Sequence, residues 1–362
     1  MKARFLLFII FLSALCCHAA EKKKLTYIDA SDLTIVNRAQ PDGPIFQRLD
    51  VDKYPDLSDR VRYYYSFPTG MAVRFRTNSP TIAASWETDG GLKSNNCTPT
   101  AENGLDLYIK RDGKWIFAAV GRPKFNGTEH KASLVADMDT TTKECMLYLP
   151  LCSVLKRLEI GIEPGSKIEA ASESPKARIV FVGSSYTHGI GASRAGLTFP
   201  AILGRRMNIE AANLGASGQC KLEQFYAHVI CETKADAFVI DPFSNPTAEM
   251  IDERLIPFIE TIRKCHPTTP LIFLQTEKRE STNFSQKIRK SEYAKREAAR
   301  RQMLKAMQQF DNIYFLNPGM SIGTDHEASC DGIHPSDLGV MRVVETMQPE
   351  LEAILIEEGI LK

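Results

Sequence analysis

The sequence lacks a long apolar run, an excess of charge and any cysteine–histidine cluster, and each absence removes a class of function. No stretch approaches the roughly 20 consecutive apolar residues that span a bilayer, so no membrane-spanning helix is expected. Lysine and arginine number 45 against 44 aspartates and glutamates, a net charge of +1. So balanced a chain offers no electrostatic footprint for nucleic acid or an anionic membrane surface. No Cys-x-x-Cys pair or His/Cys cluster marks a metal site, and no cofactor is expected. Internal repeats and low-complexity tracts are missing as well.

What is present begins with a processing segment. Lys2 and Arg4 precede an apolar run from Phe5 to Leu15, and small residues follow at Ala19 and Ala20. Residues 1–20 therefore read as a secretory signal, which predicts an exported protein, periplasmic or extracellular. Cys16 and Cys17 raise lipid anchoring as an alternative, but Ser13-Ala14-Leu15 fits that processing poorly, and unanchored export is preferred. Seven cysteines follow: Cys97, Cys145, Cys152, Cys220, Cys231, Cys265 and Cys330. Export permits disulfides, yet spacing cannot pair them. Cys330 reads as a small buried packing residue.

At 362 residues the chain exceeds one comfortable core, and two domains are expected. Residues 21–175 read as β structure. Met71 to Arg76 and Thr81 to Trp86 alternate apolar and polar, and Leu105 to Lys110 runs through an Asp112-Gly113 turn into Trp115-Ile116-Phe117. Period-two strands at short intervals imply an antiparallel β-sandwich. Leu155 to Ile162 is a further strand candidate.

From residue 176 to 362 the period changes. Ala177 to Gly183 is a continuous apolar strand, and strands at Ile209–Leu214, Ala237–Ile240, Leu271–Leu274 and Ile313–Leu316 alternate with helical stretches. Those stretches are Phe199–Met207, Leu222–Cys231, Met250–Cys265, Ser285–Gln309 and Leu338–Ile360. Such alternation predicts a parallel sheet covered on both faces, a three-layer α/β/α domain of flavodoxin-like kind. Right-handed crossovers bring every strand-to-helix loop to the carboxyl edge, where open α/β sheets bind ligands. Ser185, Gly215 and Asn245 each follow such a strand, and Asp331 with His334 follows the last.

Those loops hold the chemistry. A serine hydroxyl needs a base to attack a carbonyl, and a carboxylate three positions before a histidine can present an imidazole already oriented. Taken alone, Gly183-Ser184-Ser185 is a turn with a helix cap, and Asp331-Gly332-Ile333-His334-Pro335 is a turn before a helix. Together they supply a nucleophile, a base and an acid: Ser185, His334 and Asp331. The glycine-rich Asn213-Leu214-Gly215-Ala216-Ser217-Gly218 could aim a backbone N–H at an oxyanion, and the Asn245 amide could do the same. Each also fits an ordinary turn.

On these four blocks the chain resembles the SGNH (GDSL-like) hydrolases. The resemblance implies that Ser185 attacks, that His334 backed by Asp331 moves the proton, and that the Ser185 N–H, Gly215 N–H and Asn245 amide form the oxyanion hole. The first block departs from Gly-Asp-Ser-Leu, with Ser184 replacing the acid and Tyr186 the leucine, and the third lacks the common Gly-x-Asn-Asp form. Gly104-Leu105-Asp106-Leu107-Tyr108 resembles the GxDLY-type sandwich that precedes one branch of exported members, and Gly183-Ser-Ser-x-Thr187 and Ala192-Ser193-Arg194 recur in that branch. Asp106 and Tyr108 read as packing residues of the sandwich. His188 and Arg194 are candidates for substrate contact. The family implies an esterase acting on acylated carbohydrate, foremost O-acetyl groups. A glycan-binding protein with a vestigial hydrolase domain, and an esterase for short-chain lipids or thioesters, remain as alternatives.

Overall fold

A computed structural model describes residues 24–171, 175–317 and 321–362; the proposed signal segment lies outside the described residues. Among those residues no helix is long and apolar enough to cross a membrane.

The alternating N-terminal strands pair antiparallel in two sheets. One holds β1 (Thr26–Asp29), β4 (Ile82–Thr88), β7 (Glu129–Val135) and β9 (Leu155–Ile162) in the order β1-β9-β4-β7. The other runs β10-β3-β8-β5-β6, with β2 (Thr34–Val36) on β3 (Ala72–Thr77); the rest are β5 (Leu105–Arg111), β6 (Lys114–Gly121), β8 (Lys143–Tyr148) and β10 (Ile168–Ala170). Period two puts one face of each sheet inward. Val73, Phe75, Leu105, Leu107 and Leu147 thus meet Ile82, Ala84, Trp86, Leu158 and Ile160 in one buried layer. The turn between β5 and β6 is the expected one: Arg111 pairs with Lys114, and Asp112 (φ 51°) and Gly113 (φ 75°) supply the left-handed backbone that a two-residue hairpin requires.

Two short helices interrupt this part where the sequence suggested only strands. α1 (Asp59–Tyr65) starts at Ser58, whose hydroxyl accepts the Val61 N–H, and buries Val61, Tyr64 and Tyr65. α2 (Pro99–Asn103) starts at a Thr98 cap with proline in its first turn. Both are too short for a helical period to stand out, but their caps are ordinary.

Five parallel strands make the second sheet: β11 (Arg178–Gly183), β12 (Glu210–Gly215), β13 (Ala237–Asp241), β14 (Leu271–Leu274) and β15 (Ile313–Leu316). Their order, β12-β11-β13-β14-β15, is the doubly wound flavodoxin arrangement, which reverses direction at β11. Helices follow the strands: α3 (Ser185–His188), α4 (Phe199–Met207), α5 (Gln224–Cys231), α6 (Ala248–Cys265), α7 (Gln286–Gln309) and α8 (Asp337–Glu357). Alternate residues of β11 serve opposite faces. Ile179 and Phe181 pack with α4 and α8. Val180 and Val182 pack with α5, α6 and α7, in a core that continues into Tyr64, Tyr65 and Phe67 of the N-terminal part. Cys231 and Cys265, at the ends of α5 and α6, form a disulfide. Cys330 is exposed rather than buried, because it lies on the rim loop that carries Asp331.

The two parts share polar contacts as well as apolar core. The fully buried Arg48 donates to the carbonyls of Asn213 (3.0 Å), Gly215 (2.8 Å) and Tyr64. Burial pushes its pKa down to about 10. Asn37 accepts the Ala211 N–H at 3.0 Å, closing the free edge of β12.

Candidate active site

β11 ends at Gly183, where nothing larger fits: a Cβ there would lie 2.2 Å from the Thr187 hydroxyl. The chain turns at once into α3, which Gly189 closes with φ +98°. Ser185 stands at the first position of that turn, 5% exposed, where its N–H has no intrahelical acceptor. Beneath it, the buried Asp241 accepts from Thr187 Oγ1 (3.2 Å) and Ser184 Oγ (3.4 Å). Burial raises the Asp241 carboxyl to about 7. Ser184 makes no side-chain cap to α3; its hydroxyl turns down to Asp241 instead.

The histidine loop is built separately and is largely self-supporting. Asp331 Oδ1 accepts the N–H groups of Ile333 (2.9 Å) and His334 (2.7 Å), an Asx turn that needs Gly332 at φ +84°. Ser329 Oγ donates to the His334 carbonyl and accepts the Gly332 N–H, both at 2.9 Å. Tyr186, the residue after Ser185, ties the two loops together by donating its hydroxyl to the Ile333 carbonyl.

The outcome is a continuous chain of contacts. Ser185 Oγ lies 2.9 Å from His334 Nε2, and His334 Nδ1 lies 2.7 Å from Asp331 Oδ2. Partial burial opposes charge on Asp331, but the His334 and Ile333 N–H groups, the His334 ring and the Asn96 amide overcome it and hold the carboxyl well below the usual carboxylate range. An ionised Asp331 only accepts, so the ring proton sits on Nδ1 and leaves Nε2 free to take the proton of Ser185. The Asn96 contact, 3.0 Å from Nδ2 to Asp331 Oδ2, reaches across from the antiparallel part.

Around Ser185, adjacent strand ends place the other candidates. Gly183 pairs with Gly215 on one side and Asp241 on the other. Asn245, in the loop after β13, is half-buried and donates to the Gln219 carbonyl at 2.7 Å, joining that loop to the one after β12. The Asn245 loop is itself fixed, because Ser244 O accepts from Arg279 (2.8 Å) and the buried Lys295 (3.0 Å).

Three expectations require correction. Gly215 cannot aim its N–H at a ligand: it is buried within β12 and donates to Asn213 Oδ1 at 2.8 Å. Three residues on, Gly218 is exposed at φ +72°, in the turn that Asn245 holds, and no acceptor takes its N–H among the described residues. Both glycines lie in one motif; the strand swallowed the first and left the second at the rim. His188 is fully buried, donating from Nε2 to the Leu151 carbonyl at 2.8 Å, and burial drives its pKa down to about 3. It is a neutral interface residue without access to substrate. Arg194 is engaged too, 2.6 Å from both Asp106 Oδ2 and the Tyr108 hydroxyl, with its guanidinium 4.0 Å from the Phe117 ring centroid. Among the described residues, no three His, Cys, Asp or Glu side chains are placed to hold a metal ion.

Comparison with known proteins agrees with this architecture. Residues 176–352 match the GDSL-like lipase/acylhydrolase family, and residues 25–168 match the GxDLY family, the N-terminus of SGNH-hydrolase-type esterases. A solved putative GDSL-like lipase from Bacteroides ovatus is 40% identical, covering 92% of this chain and 98% of its own, with a TM-score of 0.89. The salicylyl-acyltransferase SsfX3 of a tetracycline biosynthetic pathway shares the fold at 19% identity, covering 91% and 97%, with a TM-score of 0.73. A family two carbohydrate esterase from Clostridium thermocellum shares it at 14% identity, covering 81% and 94%, with a TM-score of 0.56. No curated protein matches the sequence.

Proposed function

The chain belongs to the GDSL-like lipase/acylhydrolase family and is a carboxylic ester hydrolase, and on that premise we propose an exported serine esterase that removes O-acyl groups, foremost O-acetyl, from carbohydrate. The observation that supports it most is the hydrogen-bonded sequence Ser185–His334–Asp331, with distances of 2.9 and 2.7 Å. Ser185 Oγ bonds to the ester carbonyl carbon as its proton passes to His334 Nε2. The carbonyl oxygen, now anionic, takes hydrogen bonds from the Ser185 N–H, the Gly218 N–H and the Asn245 amide. The bond to the sugar oxygen then breaks, and His334 returns the proton to that leaving oxygen. Water, deprotonated by the same imidazole, releases the acid and restores Ser185.

Carbohydrate is proposed because family two carbohydrate esterases share this fold. Export is supported by the composition of residues 1–20 and by the Cys231–Cys265 disulfide. The deciding experiment is acetate release from a panel of acetylated glycans by the wild type and by Ser185→Ala. Release that depends on Ser185 is expected; equal turnover by both proteins removes Ser185 as nucleophile, and release from no glycan, with short-chain lipid esters cleaved instead, removes the carbohydrate assignment.

A further inference from the structure

Among the described residues Asp331 receives four hydrogen bonds, and only one of these comes from outside its own loop. Oδ1 takes the Ile333 and His334 N–H groups, and Oδ2 takes His334 Nδ1–H and the Asn96 amide. We infer that Asn96, carried by the antiparallel part, is a positioning residue for the reaction: it fills the remaining lone pair of the Asp331 oxygen that orients His334. The inference rests on the mechanism proposed above and adds the N-terminal part to it.

Three features make this more than a chance approach. The amide is oriented, since Asn96 Oδ1 accepts from the Ser94 hydroxyl and the NH2 group must therefore face the carboxylate. Its loop is anchored on both sides: Ser94 N–H donates to Glu102 Oε1 at 3.2 Å, and Thr98 Oγ1 donates to the Ser193 carbonyl at 2.6 Å. Between them Cys97 packs against the core shared by the two parts. The second anchor lands next to the histidine loop, because Ser193 also donates through its N–H (2.9 Å) and hydroxyl (2.5 Å) to Asp337, three residues beyond His334.

The chemistry of an amide suits the position. A lysine there would neutralise Asp331 and weaken its hold on the imidazolium that forms during attack. A neutral donor fixes Oδ2 in place while leaving the negative charge on the carboxylate, and it favours the ionised form of Asp331. Removing the donor should therefore misplace the carboxylate and make it a better proton acceptor for the imidazole.

The test uses the full-length protein with Asn96→Ala and Asn96→Leu, the second retaining bulk and excluding a substituting water. The expected result is a fall in kcat of about tenfold with KM within about twofold, and a shift of the acid limb of the rate profile to higher pH, larger for the leucine variant. The His334 ring titration followed by NMR should move in the same direction, and thermal unfolding should match the wild type. Unchanged kcat with an unmoved His334 titration overturns the inference, as does a loss of activity explained by unfolding of both variants. If the wild type shows no Ser185-dependent turnover, the proposed mechanism fails, yet the NMR titration still decides whether Asn96 governs the Asp331–His334 pair.

Discussion

Arg194 Nη1 and Asp106 Oδ2 meet at 2.6 Å across the junction between the sandwich and the parallel sheet, and Asp106 has no exposed side-chain surface. Gly196 N–H donates to the same oxygen at 2.8 Å. Burial raises the Asp106 carboxyl, while Arg194 and the Gly196 N–H pull it back toward ionisation. The Asp of the Gly104-Leu105-Asp106-Leu107-Tyr108 segment is thus a socket for an arginine that lies nine residues after Ser185.

Arg194→Ala should therefore cost stability rather than substrate affinity. It leaves a buried carboxylate without its cation, a change worth about 3–5 kcal/mol, visible as a lowered urea midpoint. KM for a small ester should stay close to the wild-type value at temperatures where the variant is folded. A raised KM with an unchanged midpoint would return Arg194 to the substrate site.

The acid side of the stability curve should be governed by Asp241 and Glu277, both raised to about 7, in each case chiefly by burial. Between about pH 4 and pH 7 the folded protein keeps protons that the unfolded chain has released, so stability falls as pH rises through that window. Asp241→Asn keeps an oxygen to accept from Thr187 and Ser184 and removes one of the two ionisations. Its loss of stability from pH 5 to pH 8 should be smaller than that of the wild type, as read by urea unfolding at both values. Parallel losses would show that Asp241 does not change its charge there.

Gly191 is predicted to control where the histidine loop sits. Its φ is +94°, and a Cβ would lie 2.5 Å from the Pro335 carbonyl and 3.4 Å from His334 Cβ. Gly191→Ala combines backbone strain of about 1–3 kcal/mol with a push on the loop that carries His334. We expect kcat to fall at least about tenfold, the equivalent of 1.4 kcal/mol, and labelling of Ser185 by a fluorophosphonate to slow in step. Full labelling at the wild-type rate would show that the loop relaxes without harm.

Much of this was legible beforehand, and the exceptions have identifiable causes. Continuous apolar strands such as Ile179–Val182 and long helices such as Gln286–Gln309 announce themselves by period and length, and their carboxyl edge follows from topology. Ser185, Asp331 and His334 stood out because their residue types are few and their local spacing is chemically specific. Asn96 gave no signal: in the polar run Lys93 to Thr98 it reads as loop, and only folding brings it to Asp331, 235 positions away. Nearness to Ser185 in sequence says nothing about direction: α3 turns His188 inward, and the following loop sends Arg194 to the sandwich. Gly215 and Gly218 could be separated only by knowing the last residue of β12, and strand ends are the least certain feature of a sequence reading.

A Cβ on Gly215 would lie 2.2 Å from the His188 backbone nitrogen, whereas one on Gly218 meets nothing within 4 Å. Gly215→Ala should therefore fail to fold or melt far below the wild type, an effect on packing between β12 and α3. Gly218→Ala should fold with a modest loss of stability, since only its left-handed φ opposes a side chain, and should lose rate if the turn that aims its N–H is disturbed. Asn245→Ala is the companion variant: in the proposed mechanism it removes one oxyanion donor, a loss of about 3 kcal/mol in the transition state, so kcat should drop by about two orders of magnitude with KM little changed. Because Asn245 also braces the Gln219 carbonyl, the Gly218→Ala and Asn245→Ala effects should be less than additive in the double variant. Strict additivity would mean that the two loops act independently and that the Gly218 turn needs no support from Asn245.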